Sequence, residues 1–155
     1  LGGARGRKPR LLKSLYLSDG ALAGHNRMLL DKYQAMEAEV SFETTAVEDA
    51  ELVLVAFGSM GRIAKSTVRN LRSKGVRVGL FRPLFPFPSQ ALRELARQGK
   101  TFLTIENNTG QMVDDVRLAV RGWSDSELHT AFPGSLPSPE DFEGPVQDLM
   151  ALSHQ

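Results

Sequence analysis

The sequence predicts an α/β domain in which strands and helices alternate along the chain. A continuous apolar run at residues 52–57 has the composition of a strand buried on both faces, as in parallel sheets. A pattern typical of an amphipathic helix follows at residues 62–72, and a second strand pattern follows at 76–81. These three segments form a βαβ unit, whose crossover is expected to be right-handed. The chain has 155 residues, which suits one domain.

The same alternation continues through the second half of the chain. A helix beginning at Pro88 and Ser89, a strand at 101–105, a helix at 112–120 and a weaker strand at 127–131 are predicted in that order. Ser138 begins a segment that resembles a capping box, with Pro139 at the first helical position. Gly144-Pro145 should break or restart the last helix.

Two further elements are predicted before this alternation begins. Residues 22–38 have a helical pattern, and residues 40–44 alternate apolar and polar side chains, as a half-exposed edge strand does. We therefore divide the chain into residues 1–45, an N-terminal arm with its helix and edge strand, and residues 46–155, the α/β part. Together they are expected to form one structural domain.

Composition excludes several classes of protein. No apolar run approaches the roughly 18–20 residues that a membrane-spanning helix needs. The net charge is +1, so no strong overall field attracts nucleic acid or anionic lipid, and neither partner is expected. The chain has no cysteine, which excludes a disulfide, a thiol nucleophile and a cysteine-bound iron–sulfur cluster within it. This composition fits a reducing compartment, so we predict a cytoplasmic protein.

The N-terminal segment is basic and poor in apolar residues. It is predicted to pack as an arm over residues 1–17 rather than to extend the sheet, because it cannot bury a face of its own. Its cations suit a solvated arm, a strap across a partner or a phosphate-binding patch; they are Arg5, Arg7, Lys8, Arg10 and Lys13. Because the first residue is Leu1, we expect the natural N-terminus to lie further upstream.

The candidate functional residues follow the predicted parallel strands, because α/β sheets bind ligands outside the carboxyl ends of their strands. The candidates for an interface or a ligand site are Gly58, Ser59, Arg82, Glu106, Asn107, Gly110 and Gln111. The loop after residue 57 precedes a helix whose free N–H groups suit an anion, but Ser59 is also a suitable helix N-cap. This loop has neither G-x-G-x-x-G nor the lysine of a P-loop.

The two charged candidates each have two interpretations. Arg82 suits bidentate binding of a carboxylate or phosphate, and it equally suits an ion pair within the domain. Glu106 ends a buried strand, where a carboxyl group serves as an acid or base with a raised pKa, or as an ordinary buried hydrogen-bond acceptor. We assign no catalytic residue, because no nucleophile, base and orienting group are recognisable together. We assign no metal site either, because His25, His129 and His154 lack metal-ligand spacing.

Several longer strings of residues resemble one family. The strings are residues 1–10, 13–17, 25–27, 32–33, 47–59, 62–66, 78–88 and 106–120. The most specific are Gly110-Gln111-Met112 and Asp115-Val116-Arg117. Together they resemble the C-terminal domain of the alpha-type subunit of 2-oxoacid:ferredoxin oxidoreductases, thiamine-diphosphate enzymes that include the 2-ketoisovalerate and 2-oxoglutarate ferredoxin oxidoreductases.

This resemblance implies the fold of a transketolase C-terminal domain: a five-stranded mixed sheet of order 1-3-2-4-5, with strand 1 antiparallel, between layers of helices. It implies a role in oxidative decarboxylation of a 2-oxoacid with coenzyme A, giving an acyl-CoA, carbon dioxide and reduced ferredoxin. Thiamine diphosphate, magnesium, an iron–sulfur cluster and coenzyme A are expected in the intact complex and none of them in this chain, which has no thiamine-binding motif.

The expected function is therefore a non-catalytic domain for assembly and inter-domain packing, inactive when isolated. The implied partners are an upstream thiamine-type domain of the same subunit, the other oxidoreductase subunits, and ferredoxin through the complex. Two alternatives stay open at this point. One is a free-standing α/β module that binds a nucleotide or coenzyme A, and the other is a pure dimerisation domain.

Overall fold

The computed structural model describes residues 5–9 and 14–153, which divide into two compact units with a boundary between Ala38 and Glu39. Predictions that concern Leu1–Ala4, Arg10, Lys13 and His154 lie outside the described residues. In the first unit, helix α1 spans Ala21–Met36 and buries none of its residues, and residues 5–9 and 14–17 belong to no helix or strand. The rings of Tyr16 and His25 stack with centroids 4.7 Å apart.

The second unit is a five-stranded sheet covered by helices. Its elements are β1 (Phe42–Thr45), β2 (Leu52–Val55), α2 (Gly58–Ser73), β3 (Val78–Pro83), α3 (Ser89–Arg97), β4 (Thr101–Glu106), α4 (Met112–Val120), β5 (Ser126–Thr130) and α5 (Glu143–Ser153). The strand order is β1-β3-β2-β4-β5; β1 pairs antiparallel with β3, and the other pairs are parallel. This confirms the predicted fold class, order and antiparallel edge.

The sheet buries both faces, which explains the continuous apolar run of β2. Successive side chains of a strand point to opposite faces. Leu52 and Leu54 accordingly belong to a core shared with α2 and α5, whereas Val53 and Val55 belong to a core shared with α3 and α4. Each of these four side chains is at most 1% exposed, so β2 is the central strand of both hydrophobic layers.

Arg72 attaches the end of α2 to the segment before β2. Its Nη2 donates a hydrogen bond to the carbonyl oxygen of Ala46 at 2.7 Å, and the guanidinium forms an ion pair with Asp49 at 2.6 Å. Ala46 has a φ of 53°, a left-handed conformation that is uncommon for alanine. Gly79 of β3 lies directly against this turn, because a Cβ added to Gly79 would lie 2.7 Å from the Ala46 oxygen.

Lys100 precedes β4 and is only 6% exposed. Its Nζ donates hydrogen bonds to the carbonyl oxygens of Glu48 and Ala50, at 3.1 and 3.0 Å. A buried ammonium group is costly unless its donors are satisfied. These two bonds therefore fix the turn before β2 to the amino end of β4.

The C-terminal part confirms the capping box. The backbone N–H of Ser138 donates to the carboxylate of Asp141 at 2.8 Å, at the start of a short 3-10 helix, Pro139–Phe142. Helix α5 follows directly, so Gly144 and Pro145 lie in its first turn and the helix restarts there. In the described part of the chain no helix is long and apolar enough to cross a membrane.

Candidate functional site

The candidate site is the edge of the sheet at which the parallel strands end. Arg82 lies near the end of β3 and Glu106 ends β4, and these strands flank β2 on either side. Both side chains therefore lie at the same carboxyl edge, as the sequence predicts. Gly58 and Ser59 begin the helix that follows β2, and Gln111 immediately precedes α4. The alternation of parallel strands and helices thus places all of the predicted candidates along one edge of the sheet.

Glu106 caps the amino end of α4. Its carboxylate is 1% exposed and accepts backbone hydrogen bonds from Met112 at 2.9 Å, from Val113 at 2.8 Å and from Gln111 at 3.2 Å. The side-chain amide of Asn108 donates a further bond at 3.0 Å. The first N–H groups of a helix have no partner within the helix, and a negative charge there is also favoured by the helix dipole. The carboxylate of Glu106 supplies both the hydrogen-bond acceptor for these N–H groups and the negative charge that the dipole favours.

This environment sets the protonation state of Glu106. Burial acts to raise its pKa, but the hydrogen bonds from Met112, Asn108, Val113 and Gln111 outweigh burial, so the pKa lies below its usual value. The carboxyl group is thus ionised at neutral pH. The interpretation of Glu106 as an acid or base with a raised pKa is wrong, and the interpretation as a buried hydrogen-bond acceptor is confirmed.

The loop between β4 and α4 is held by its own side chains. Asn107 donates to the carbonyl oxygen of Ala131 at 2.7 Å, and the Asn108 side-chain oxygen accepts from the backbone N–H of Gly110 at 2.7 Å. Gly110 has a φ of 102°, and a Cβ there would lie 2.8 Å from the side chain of Leu128. The loop is therefore fixed in one conformation, and it leaves the side chain of Gln111 exposed.

Arg82 is engaged within the domain. Its Nη1 forms an ion pair with Glu43 of β1 at 3.0 Å, across the antiparallel pairing of these two residues. Its Nε is buried without a hydrogen-bond partner. A Cβ added to Gly61 would lie 3.4 Å from Arg82 Cδ and 3.0 Å from the oxygen of Ala56. Of the two interpretations of Arg82, the structure shows the ion pair.

Ser59 is not the N-cap of α2, contrary to one interpretation of the sequence. The helix begins at Gly58, and Phe57, two residues before Ser59, occupies the N-cap position without any side-chain cap. The reason is the left-handed φ of Gly58, 56°, which turns the chain from β2 directly into the first helical turn. The carbonyl oxygen of Phe57 consequently accepts the hydrogen bond from Gly61.

Large exposed apolar side chains also lie along this edge, and the sequence analysis missed them. Phe57 follows β2, Leu84 and Phe85 follow β3, and Phe132 follows β5, with exposures of 49, 44, 70 and 66%. We call these four residues together with Gln111 the carboxyl-edge surface. The signal in the sequence was the presence of apolar residues immediately after strands, at positions where loops are usually polar.

The described residues contain no group of three or more His, Asp or Glu side chains that could hold a metal ion. Surface cavities of about 390 and 450 Å³ lie near Arg77 and near Arg121, respectively. Both flank the amino ends of strands, opposite to the carboxyl-edge surface. The structure therefore defines an α/β domain in which a carboxylate of the chain caps the helix after β4, and large apolar side chains are exposed at the carboxyl ends of the strands.

Comparison with known proteins identifies the family. Residues 50–142 match the family described as pyruvate:ferredoxin oxidoreductase core domain II, and the chain belongs to this family. It is 41% identical over 155 residues to the ketoisovalerate oxidoreductase subunit VorB of Methanothermobacter marburgensis, covering 98% of this chain and 44% of the relative. It is 37% identical over 100 residues to the 2-oxoglutarate synthase subunit KorA of Methanocaldococcus jannaschii, covering 63% of this chain and 27% of the relative.

A solved structure shows the same fold. The 2-oxoglutarate:ferredoxin oxidoreductase from Magnetococcus marinus superposes with a TM-score of 0.69 at 21% identity, covering 81% of this chain and 23% of that chain. The family match and the ketoisovalerate oxidoreductase relative confirm the resemblance inferred from the sequence. The chain spans less than half the length of each of these relatives.

Proposed function

We propose that this chain is a non-catalytic domain of a thiamine-diphosphate-dependent 2-oxoacid:ferredoxin oxidoreductase, and that it serves assembly and inter-domain packing through its carboxyl-edge surface. The proposal rests on the side chains that lie at the carboxyl ends of the strands. Open α/β sheets commonly bind their ligands at the carboxyl ends of the strands. Here a carboxylate of the chain occupies the helix end, and aromatic side chains are exposed around it.

The capped helix argues against a nucleotide or coenzyme A module. A phosphate binds a helix amino end through free backbone N–H groups and the positive end of the helix dipole. In α4 the N–H groups of Met112 and Val113 are already donated to Glu106, whose negative charge would repel a phosphate. The amino end of α4 is thus poorly suited to the ligand that the alternative requires.

The exposed aromatic residues argue for a protein contact. Isolated apolar residues on a surface are ordinary, but aromatic side chains grouped on one edge are typical of interfaces. Phe57, Phe85 and Phe132 lie after three strands of one sheet, so a single partner surface can cover them together. Gln111 lies among them on a loop of fixed conformation and contributes an uncharged hydrogen-bonding group, which is cheaper to desolvate than a charge.

The whole protein's activity follows from the relatives as part of the same proposal. It would convert a 2-oxoacid, coenzyme A and oxidised ferredoxin into an acyl-CoA, carbon dioxide and reduced ferredoxin, in the cytoplasm. Thiamine diphosphate, magnesium and an iron–sulfur cluster would be held by other domains or subunits. The residues of this chain do not fit these groups, because it has no cysteine and its described part has no cluster of metal ligands. The partners would be a thiamine-type domain, the other subunits and ferredoxin.

The proposal is tested first by activity. The purified chain should show no turnover with any 2-oxoacid, coenzyme A and an electron acceptor, because it has no complete catalytic set. Measurable turnover in the absence of other subunits would refute the non-catalytic role.

The surface is tested by Gln111→Ala in the assembled oxidoreductase. We expect a lower thermal stability of the complex, or loss of a subunit in size-exclusion chromatography, while the circular dichroism of the isolated chain stays unchanged. The matched control is Gln98→Ala, which removes another exposed amide just after α3, at the opposite end of the sheet. If Gln111→Ala instead abolished binding of coenzyme A or a nucleotide by the isolated chain, the ligand-binding alternative would be correct.

A further inference from the structure

Helix α2 has a row of cations on its outer face. Arg62, Lys65 and Arg69 are spaced three and four residues apart, so they lie on one side of the helix, and all three are exposed. They extend over about 10 Å at the helical rise per residue. We call these three residues the basic stripe. None of these residues belongs to the carboxyl-edge surface, and taking another subunit as their partner rests on the proposed function.

The basic stripe differs from the neighbouring cations in having no acidic partner. Arg72, Lys74 and Arg82 form ion pairs with Asp49, Glu143 and Glu43 at 2.6, 2.6 and 3.0 Å, and Arg77 pairs with Glu51. Among the described residues, no ion pair involves a member of the basic stripe, and Arg69 donates only to the hydroxyl of Ser66, at 3.1 Å. These cations, which follow the basic stripe in the sequence, are thus paired, whereas no described acidic residue forms an ion pair with the basic stripe itself.

The basic stripe also opposes the stability of its own helix. Like charges at i,i+3 and i,i+4 repel each other, and Arg62–Lys65 and Lys65–Arg69 have these spacings. Cations near the amino end oppose the helix dipole, and α2 has no acidic residue in its first turn. Helix α4, by contrast, has Glu106 at its amino end and two aspartates in its first turn. This arrangement costs stability in the isolated chain, and a negatively charged partner would relieve the cost.

We propose that the basic stripe binds an acidic segment of another protein subunit. Carboxylates spaced along about two helical turns of the partner would match its length. Nucleic acid fits less well, because α2 exposes no aromatic side chain for base stacking and the chain's net charge of +1 provides no extended positive field. The surface therefore provides selection by charge, alongside the apolar contact at the strand ends.

The first test is the stability of the isolated chain carrying Lys65→Glu. The new carboxylate lies three residues after Arg62 and four before Arg69, so two repulsions become two attractions. We expect the melting temperature to rise by about 2 °C. A fall in melting temperature would overturn the argument that the basic stripe is unfavourable for the fold.

The second test measures binding of a labelled peptide of glutamate and alanine to the same chain. Lys65→Glu should weaken binding by about tenfold or more, and salt should weaken binding to the unaltered chain. The matched control is Lys32→Glu, an identical change on an exposed residue of α1, which should bind as the unaltered chain does. Equal loss in both variants, or tighter binding of duplex RNA than of the peptide, would overturn the proposal.

Discussion

Replacement of Glu106 by glutamine tests whether the capping carboxylate stabilises the fold. Glutamine has nearly the same shape, so the change removes the negative charge and converts one acceptor oxygen into a donor nitrogen. At neutral pH the carboxylate accepts bonds from the N–H groups of Met112, Val113 and Gln111 and from the amide of Asn108. A glutamine oxygen can accept only part of these bonds, and the amide nitrogen would then face backbone donors.

The expected loss follows from these contacts. A hydrogen bond to a charged group contributes about 1.5–3 kcal/mol, and a buried donor left without a partner costs about 1–3 kcal/mol. Because the amide oxygen retains some of the bonds, we expect a reduction of about 2–4 kcal/mol in the free energy of unfolding. That is a large share of the roughly 5–15 kcal/mol that keeps a typical domain folded.

The pH dependence supplies a second signature. The pKa of Glu106 is lower in the folded chain than in the unfolded chain, so its contribution is fully present above the unfolded pKa of about 4.3. The contribution is lost as the pH falls through the lower folded pKa. The difference between the wild-type chain and Glu106→Gln should therefore be constant from neutral pH to about pH 5, and should shrink at lower pH.

Urea unfolding at a series of pH values measures both effects. Glu127→Gln is the matched control, because Glu127 is an exposed carboxylate on the neighbouring strand β5, and its change should stay within about 0.5 kcal/mol. The reasoning is refuted if Glu106→Gln unfolds like wild type at neutral pH. It is also refuted if the difference between them fails to decrease in acid.

Two further predictions concern the packing of the sheet. Gly79→Ala should lower the free energy of unfolding by about 1–3 kcal/mol, because the new Cβ would meet the Ala46 oxygen at 2.7 Å and the Val47 Cα at 3.0 Å. The control is Gly144→Ala, whose Cβ meets no atom within 4 Å and which should not lower the free energy of unfolding in the same urea titration. Burial holds the pKa of His129 below its usual value, although the negative charge of Asp141 acts to raise it. The free energy of unfolding should therefore fall as the pH falls from the unfolded pKa of about 6.5 through the folded pKa. His129→Gln should remove this dependence from urea unfolding measured across that range, and an unchanged slope would contradict the assignment to His129.

The fold was largely predictable from the sequence because its strongest signals are periodic. The apolar run of β2 required burial on both faces, and the alternating βα pattern required parallel neighbours. These constraints predict, from the sequence alone, that Arg82 and Glu106 lie at one edge of the sheet. The antiparallel position of β1 came from the family resemblance as well as from its alternating side chains, since four residues carry little information about the strand with which they pair.

The details of the candidate site were less predictable because they depend on backbone conformation. Ser59 has a side chain suited to an N-cap, but the left-handed φ of Gly58 starts the helix two residues earlier than such a cap requires. The backbone partners of Glu106 come from residues five to seven positions later, and this requires the tight turn at Gly110. The exposed aromatics after the strands were not recognised, because composition alone does not distinguish a buried phenylalanine from one at the rim of a sheet.

The burial of Lys100 makes this residue a natural reporter of the folded state. An amine reacts with acylating reagents only when solvent reaches its nitrogen, and Nζ of Lys100 lies beneath the surface with bonds to Glu48 and Ala50. Lys32 and Lys65, by contrast, are exposed. Reagents that label lysines should therefore mark the exposed pair at once and mark Lys100 only when the turn before β2 separates from β4. The rate at which Lys100 is labelled would therefore report how often this part of the chain opens, without an engineered probe.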